Sequence, residues 1–226
     1  MDVRAEDSHG FTLRDCAFTA LATGEEARNL REFRDRVARV PEGTLYYHFW
    51  GRLLRPVFAA REHVNDFGNW VGHELRDPVA AEKLALVDPA DFADLEEVRS
   101  HVLEVLEERI AQGEWSPQVS SARAFHFLKG KIVVFDTGRR ITDPQDLPGV
   151  IPELPPSSIY YHFVDARARH RDGADDFQRW LSAQGEDYRS LVTALAAVDL
   201  YYTSLEDLQQ ELTTLFSQYF GLEAER

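Results

Sequence analysis

Apolar residues recur at every third or fourth position near the end of each half of the chain. Val98, Val102, Leu106 and Ile110 form one stripe, closed by Gly113; Leu208, Leu212, Phe216 and Phe220 form another, closed by Gly221. This spacing lines one face of an amphipathic helix, and a glycine just past the stripe suits a left-handed C-terminal cap. Thr203 or Ser204 can cap the start of the second of these helices. Upstream, Leu30, Phe33, Val37 and Val40 predict a helix that Pro41 stops. The corresponding Leu147, Ile151 and Leu154 are interleaved with Pro144, Pro148 and Pro152, so only short helical turns are expected there. Leu45, Phe49, Leu53 and Val57 predict a further helix, with Thr44 as its N-cap, Ser158 as the cap of its counterpart, and Pro56 kinking or ending it. Another helix in each half carries Asp66-Phe67-x-x-Trp70 or Asp176-Phe177-x-x-Trp180, and one more follows it.

Two stretches read differently. Phe125–Phe135 is rich in β-branched and aromatic residues, with Lys129-Gly130 where a hairpin turn could fall. Phe11–Leu21 is a weaker strand. Both run into Thr-Gly, at Thr23-Gly24 and Thr137-Gly138, which reads as a turn. The predicted fold class is α+β, mainly helical, with one or two strands followed by several helices in each half.

The halves are related. Tyr46-Tyr47-His48-Phe49 recurs as Tyr160-Tyr161-His162-Phe163, 114 residues later, and the same offset aligns Phe11 with Phe125, Thr23-Gly24 with Thr137-Gly138, Pro41 with Pro155 and Arg55 with Arg169. Downstream the offset becomes 110, aligning Asp66, Phe67 and Trp70 with Asp176, Phe177 and Trp180, and Leu95-Glu96 with Leu205-Glu206. Ordered matches along most of a chain point to duplication. The expected organisation is repeat one at 11–113, a linker at 114–124 centred on the polar stretch Gly113–Ser121, and repeat two at 125–226. The repeats are expected to pack as one globule with pseudo-twofold symmetry. These duplicated Tyr-Tyr-His-Phe and Asp-Phe-x-x-Trp units resemble a prokaryotic family of domain-of-unknown-function proteins. The resemblance covers nearly the whole chain and implies no catalytic residues.

Charge narrows the partners. The chain of 226 residues carries 39 Asp and Glu against 25 Lys and Arg, a net charge of −14. Such a field repels nucleic acid and anionic membranes, so neither is expected as a partner. Only Lys83, Lys129 and Lys131 are lysines, a bias that a saline cytoplasm or a GC-rich genome would each produce. The N-terminal stretch lacks the apolar core of a signal peptide, and the longest apolar run, Leu191–Val198, is too short to span a bilayer; a cytoplasmic protein is expected. The single cysteine, Cys16, excludes an internal disulfide and a multi-cysteine zinc site, and reads as a small buried hydrophobe.

Three arrangements could carry chemistry. Asp136-Thr137-Gly138 after an apolar strand resembles an aspartic-protease loop, but that chemistry needs two facing carboxylates, and the matching position in repeat one is Ala22. A strand ending in a polar turn is the plainer explanation. The second arrangement is a repeated set, His48, Arg55 and Asp66 with His162, Arg169 and Asp176. In a helix, residues seven apart share a face, so each His lies near its Arg. An imidazole beside a guanidinium can hold a phosphate or carboxylate. Against this stands an interior network in which Arg55 pairs with Asp66 and Arg169 with Asp176, while the histidines bond backbone carbonyls; buried polar groups usually find such partners. Third, two His and two Asp could hold a metal if the repeats faced each other, but no recognised ligand spacing supports it.

Phe67 with Trp70 and Phe177 with Trp180 share helix faces and read as core, alongside Phe49 and Phe163. Of each tyrosine pair at most one should lie fully in the core, since consecutive residues diverge by about 100°. No phosphate loop, dinucleotide fingerprint, nucleophile elbow or Cys-x-x-Cys occurs. The sequence therefore leans toward a non-catalytic ligand-binding or regulatory protein without cofactor or metal. A small anion at the repeated His/Arg/Asp set, or a second copy in a homodimer, would be its partner. The alternatives are a metal-assisted or acid–base hydrolase using His48, His162, Asp66 and Asp176, and an interaction scaffold.

Overall fold

In the computed structural model, residues 10–54, 63–113, 120–170, 172–200 and 204–221 are described. Two strands of 17 residues, β1 (Phe11–Ala27) and β2 (Phe125–Ile141), pair antiparallel in a two-stranded sheet. Between them come α1 (Leu30–Val37), α2 (Glu42–Trp50), a 3₁₀ turn Gly51–Leu54, α3 (Asp66–His73), α4 (Pro78–Ala85) and α5 (Leu95–Gln112). After β2 the chain makes short turns around α6 (Leu147–Val150), then α7 (Pro156–Ile159), a π-helical turn Tyr160–Asp165 and α8 (Ala166–Arg169). It ends with α9 (Asp176–Gln184), α10 (Arg189–Ala196) and α11 (Leu205–Tyr219). The protein is α+β and mainly helical.

Packing groups these elements into two compact units that interleave along the chain. The first unit is Phe18–Ile132; the second combines the segment up to Ala17 with the segment from Val133 onward. Each long strand thus contributes to both. The start of β2 belongs with the helices of α1 to α5, and the start of β1 with those of α6 to α11.

The core of the first unit is built around Phe33. Its ring meets Phe67, Trp70, Phe125 and Phe127 at centroid distances of 5.1–5.4 Å. In the second unit Phe11 stacks on Phe177 at 5.0 Å and tilts against Trp180 at 5.3 Å, and Phe216 closes the far side of Phe177. Phe49, Phe67, Trp70, Phe163 and Phe177 are buried, as their helical spacing predicts. Trp180 is only half-buried. Trp70 stacks on Phe33 and donates Nε1–H to the Arg123 carbonyl at 3.0 Å, whereas the residue that matches Phe33 at the 114-residue offset is Leu147, which has no ring to stack. The Trp180 Nε1–H has no partner among the described residues.

Several sequence expectations need correction. Thr-Gly ends neither strand: β1 continues to Ala27 and β2 to Ile141. Gly24 and Gly138 have φ of 79° and 72°, so the glycines allow a local left-handed residue within a strand rather than a turn that ends it. The threonines pin the ladder across these points, Thr23 Oγ1–H to the Phe127 carbonyl and Thr137 Oγ1–H to the Leu13 carbonyl, each at 2.6 Å. Lys129-Gly130 is not a hairpin turn either. Gly130 is needed for space, because a β-carbon there would stand 2.7 Å from the Phe18 ring. Thr44 and Ser158 are not N-caps. Pro41 and Pro155 precede the helices with φ of −58° and −64°, and both residues lie within the first turn, fully buried. Ser158 Oγ–H donates instead to the Arg14 carbonyl at 2.9 Å. Pro56 and Val57 lie outside the described residues.

The C-terminal helices follow the pattern closely. Gly113 adopts φ 65° and Gly221 φ 70°, and Ser204 caps α11 in a capping box with Asp207. No helix among the described residues is long and apolar enough to cross a membrane.

Candidate functional site

The repeated histidines lie on the helix that follows Pro41 or Pro155, pointing inward, 3% and 2% exposed. In the first unit the Leu128 backbone N–H donates to His48 Nε2 at 3.1 Å, and His48 Nδ1 meets Asp66 Oδ2 at 2.9 Å. In the second unit the Arg14 N–H donates to His162 Nε2 at 2.8 Å, and His162 Nδ1 meets Asp176 Oδ2 at 2.8 Å. A backbone amide can only donate, so each Nε2 presents its lone pair and each Nδ1 carries the proton given to the carboxylate. Both rings are therefore neutral imidazoles in one fixed tautomer. Each links a strand amide to the first residue of the Asp-Phe-x-x-Trp helix. A general base or metal ligand needs the same Nε2 lone pair that the amide occupies.

Asp176 gathers more than its histidine. Arg169 Nη2 lies 3.0 Å from Oδ2 and His170 Nε2 2.9 Å from Oδ1. Burial alone would raise its pKa, but the bonds from His162 and His170 and the charge of Arg169 hold it down to about 2. Arg169 also binds Asp165 Oδ2 through Nε at 2.6 Å, and its guanidinium covers the Tyr161 ring at 4.4 Å. That cover explains why Tyr160 and Tyr161 are both buried, where only one of the pair was expected to be; in the first unit Tyr47 is buried and Tyr46 half-buried. The expected internal pairing of Arg169 with Asp176 is present. Arg55, its counterpart, lies outside the described residues. Of the six residues in the repeated set, the structure thus joins His48 to Asp66, and His162 and Arg169 to Asp176. His170 and Asp165 complete the second cluster. His170 left no signal in the comparison of repeats, because the loop that carries it is four residues shorter than its counterpart.

The remaining motifs resolve into structure. Asp136 is exposed and accepts the Gly138 N–H at 2.7 Å, which shapes the strand at its positive-φ residue. Cys16 is buried and gives its Sγ–H to the Ser157 carbonyl at 3.3 Å; burial, then the nearby Asp15 and Asp165, push the thiol up to about 12. Among the described residues no group of three or more His, Cys, Asp or Glu is arranged to hold a metal ion.

One difference between the units stands out. Asp175 caps α9 through Oδ1, but it is fully buried and its Oδ2 accepts no hydrogen bond among the described residues; Arg167 Nη2 is 3.7 Å away. Burial raises its pKa to about 7 against the opposing bond from Gln178. The corresponding residue of the first unit is Asn65, which caps α3 at 2.9 Å and donates to the Leu84 carbonyl at 2.8 Å.

A pocket of about 400 Å³ opens in the first unit, and sequence reasoning had not singled it out. Leu21, Val40 and Pro41 supply apolar surface, and Arg36, Arg39 and Lys129 supply cations, with Glu25 the one carboxylate. Arg36 Nε reaches Glu25 Oε2 at 2.6 Å, and Arg39 Nε donates to the Asp35 carbonyl at 3.1 Å. The signal lay in the two repeats. At the 114-residue offset Arg36, Arg39, Lys129 and Glu25 correspond to Val150, Glu153, Asp15 and Arg139, so the charge pattern is neutralised or inverted position by position.

Together these features describe a mainly helical α+β protein in which buried His–Asp pairs fasten two long strands to their helices. The chain belongs to the family of unknown function DUF5752, whose model matches residues 8–217, in keeping with the resemblance seen in the duplicated motifs. Among solved structures it is similar to OrfY from the archaeon Thermoproteus tenax. The two share 27% identity over 96% of this chain and 99% of that one, with a TM-score of 0.81. No curated protein matches it.

Proposed function

We propose that the protein is a non-catalytic ligand-binding or regulatory protein, built from two copies of one duplicated unit. The observation that carries this is the state of the two histidines. With Nε2 occupied by a backbone amide and Nδ1–H given to an aspartate, neither can take a proton from a substrate or bind a metal without breaking the strand-to-helix tie. The duplication is supported by bonds that recur at the repeat offset: Leu128 to His48 and Arg14 to His162, and Thr23 to Phe127 and Thr137 to Leu13. Among the described residues of the repeated His/Arg/Asp set, the Arg169 side chain, 34% exposed, offers a solvent edge for ligand contact.

Ligand-observed NMR with a panel of small organic anions tests this, run beside hydrolysis assays on generic phosphate and carboxyl esters with and without divalent metal. Saturable binding without turnover is expected. Turnover abolished in both His48→Gln and His162→Gln would establish the hydrolase alternative.

One observation favours a second reading, an interaction scaffold. Val133, Val134 and Phe135 are consecutive on β2 and 42–50% exposed. Uncovered apolar runs of this kind mark contact surfaces. A concentration-dependent increase in mass by light scattering that Val134→Lys abolishes would support it.

A further inference from the structure

We infer that the cationic pocket of the first unit is a binding site for a small organic oxyanion, a phosphate or carboxylate carried on a compact apolar body. This rests on the ligand-binding function proposed above and gives it a place and a ligand class.

Three observations carry it. First, the volume of about 400 Å³ falls in the range of small-molecule sites, and the lining combines apolar surface from Leu21, Val40 and Pro41 with a few converging polar groups. Second, its charge opposes that of the chain. In a protein of net charge −14, with only three lysines, Arg36, Arg39 and Lys129 meet around one opening with Glu25 as their only acidic companion in the lining. Glu25 engages Arg36 through Nε. Arg39, just past the end of α1, gives Nε to the Asp35 backbone carbonyl, which leaves its two terminal amines without a protein partner among the described residues. Lys129 has no ion pair among them either. A guanidinium fork beside an ammonium is suited to an oxyanion with two or three acceptor oxygens. Third, the pocket has an internal control. In the second unit Leu154 and Pro155 stand where the first has Val40 and Pro41, yet Glu153 replaces Arg39 and Asp15 replaces Lys129. There Glu153 is closed off by Arg139 at 3.0 Å. The apolar frame was retained in both copies, while the cations belong to one.

Gly43 helps to place the ammonium. A β-carbon there would stand 3.2 Å from Lys129 Cγ and 3.3 Å from Cε, so the bare backbone of the first turn of α2 lets the lysine stem lie against it. The anion would rest between the Lys129 ammonium and the Arg39 fork, with Leu21, Val40 and Pro41 against its apolar part.

The test uses phenyl phosphate and benzoate as probes on the full chain, with sodium chloride at matched ionic strength as the control. Binding is followed by backbone amide NMR and by melting temperature. Saturable shifts of amides in 21–25 and 36–40 are expected for at least one probe, with a melting temperature raised beyond that in the salt control. The double variant Arg39→Glu with Lys129→Asp installs the charges that the second unit carries at the matching positions. It should fold and weaken binding at least tenfold, whereas Lys83→Glu, remote from the pocket, should bind as the parent does. Saturable binding elsewhere on the chain, unaffected by the double variant, would overturn the site while leaving the ligand-binding function standing. Shifts that sodium chloride reproduces, or no binding of either probe, would overturn the site and its ligand class. Should the double variant fail to fold, Gly43→Gln provides the second measure. A side chain at that position displaces Lys129 without changing charge, and unchanged affinity in it would count against the site.

Discussion

His162 Nδ1 lies 2.8 Å from Asp176 Oδ2 across 14 residues of chain, and His48 Nδ1 lies 2.9 Å from Asp66 Oδ2 across 18. A difference of four residues in the intervening loop leaves the bond unchanged. What both units preserve is the connection from a strand amide through the imidazole to the start of the next helix. Replacing either histidine by alanine removes the link at both ends and opens a cavity. His48→Ala and His162→Ala should each destabilise by about 2–4 kcal/mol. Urea titration measures this, and a loss below about 0.5 kcal/mol, the ordinary range for surface positions, would show that the tie is not structural.

Asp175 should make the protein less stable as pH rises. Its folded-state pKa, raised to about 7 by burial, exceeds the usual carboxylate value of 3.8, so the folded state holds a proton that the unfolded state has lost. Stability from this group is full below about pH 4 and declines up to about pH 7. Asp175→Asn keeps the helix cap, as Asn65 does in the first unit. At pH 8 it should gain about 1–3 kcal/mol, with little change at pH 4.5. Equal effects at both values, by chemical denaturation, would show that the carboxyl is not held protonated.

Asp176 acts in the opposite direction. Its pKa is depressed to about 2, so it stabilises the fold above the ordinary carboxylate value, and this contribution is lost as pH falls from about 4 to 2. A depression of this size corresponds to about 2 kcal/mol. Asp176→Asn should cost at least that much at pH 7 and flatten the acid limb of the stability curve below pH 4. An unchanged acid limb would refute the assignment.

The paired tryptophans should behave unequally. Trp70 is buried against Phe33 and hydrogen-bonded, so Trp70→Ala should cost about 3–5 kcal/mol. Trp180 is half-buried with an unpartnered Nε1–H, and Trp180→Ala should cost less than half as much. Denaturant midpoints compare them directly; equal losses would show that the two sites are equally well packed.

Buried Arg109 and Asp77 pair at 2.7 Å, and Asp77 also caps α4. Arg109→Ala leaves a buried carboxylate without its cation and should destabilise by about 3–5 kcal/mol, read by thermal and urea unfolding. A loss under 1 kcal/mol would mean that solvent reaches Asp77.

Helices were legible wherever burial follows local periodicity. The stripe from Val98 to Leu106, the glycines after α5 and α11, and the proline-broken turns around Leu147 depend only on residues within a few positions of one another. For the same reason the ordered matches at offsets of 114 and 110, a property of residue order, needed no coordinates. Other features depended on residues distant in sequence. Thr-Gly and Lys-Gly read as turns because a glycine signals either a change of direction or a need for space, and only the Phe18 ring beside Gly130 distinguishes the two. His48 and His162 looked like ligands or bases until a strand amide was found at each Nε2, more than 75 residues away. The pocket cations sit on β2 and near the end of α1, which no local pattern connects. By itself the sequence determined the helices, the recurrence of the Tyr-Tyr-His-Phe and Asp-Phe-x-x-Trp motifs and the acidic balance, all of which are written in residue order or in totals. The tertiary structure decided which helices each long strand serves, the tautomer of the histidines and which cations line the pocket of the first unit, because these depend on pairings across the chain that composition and period do not encode.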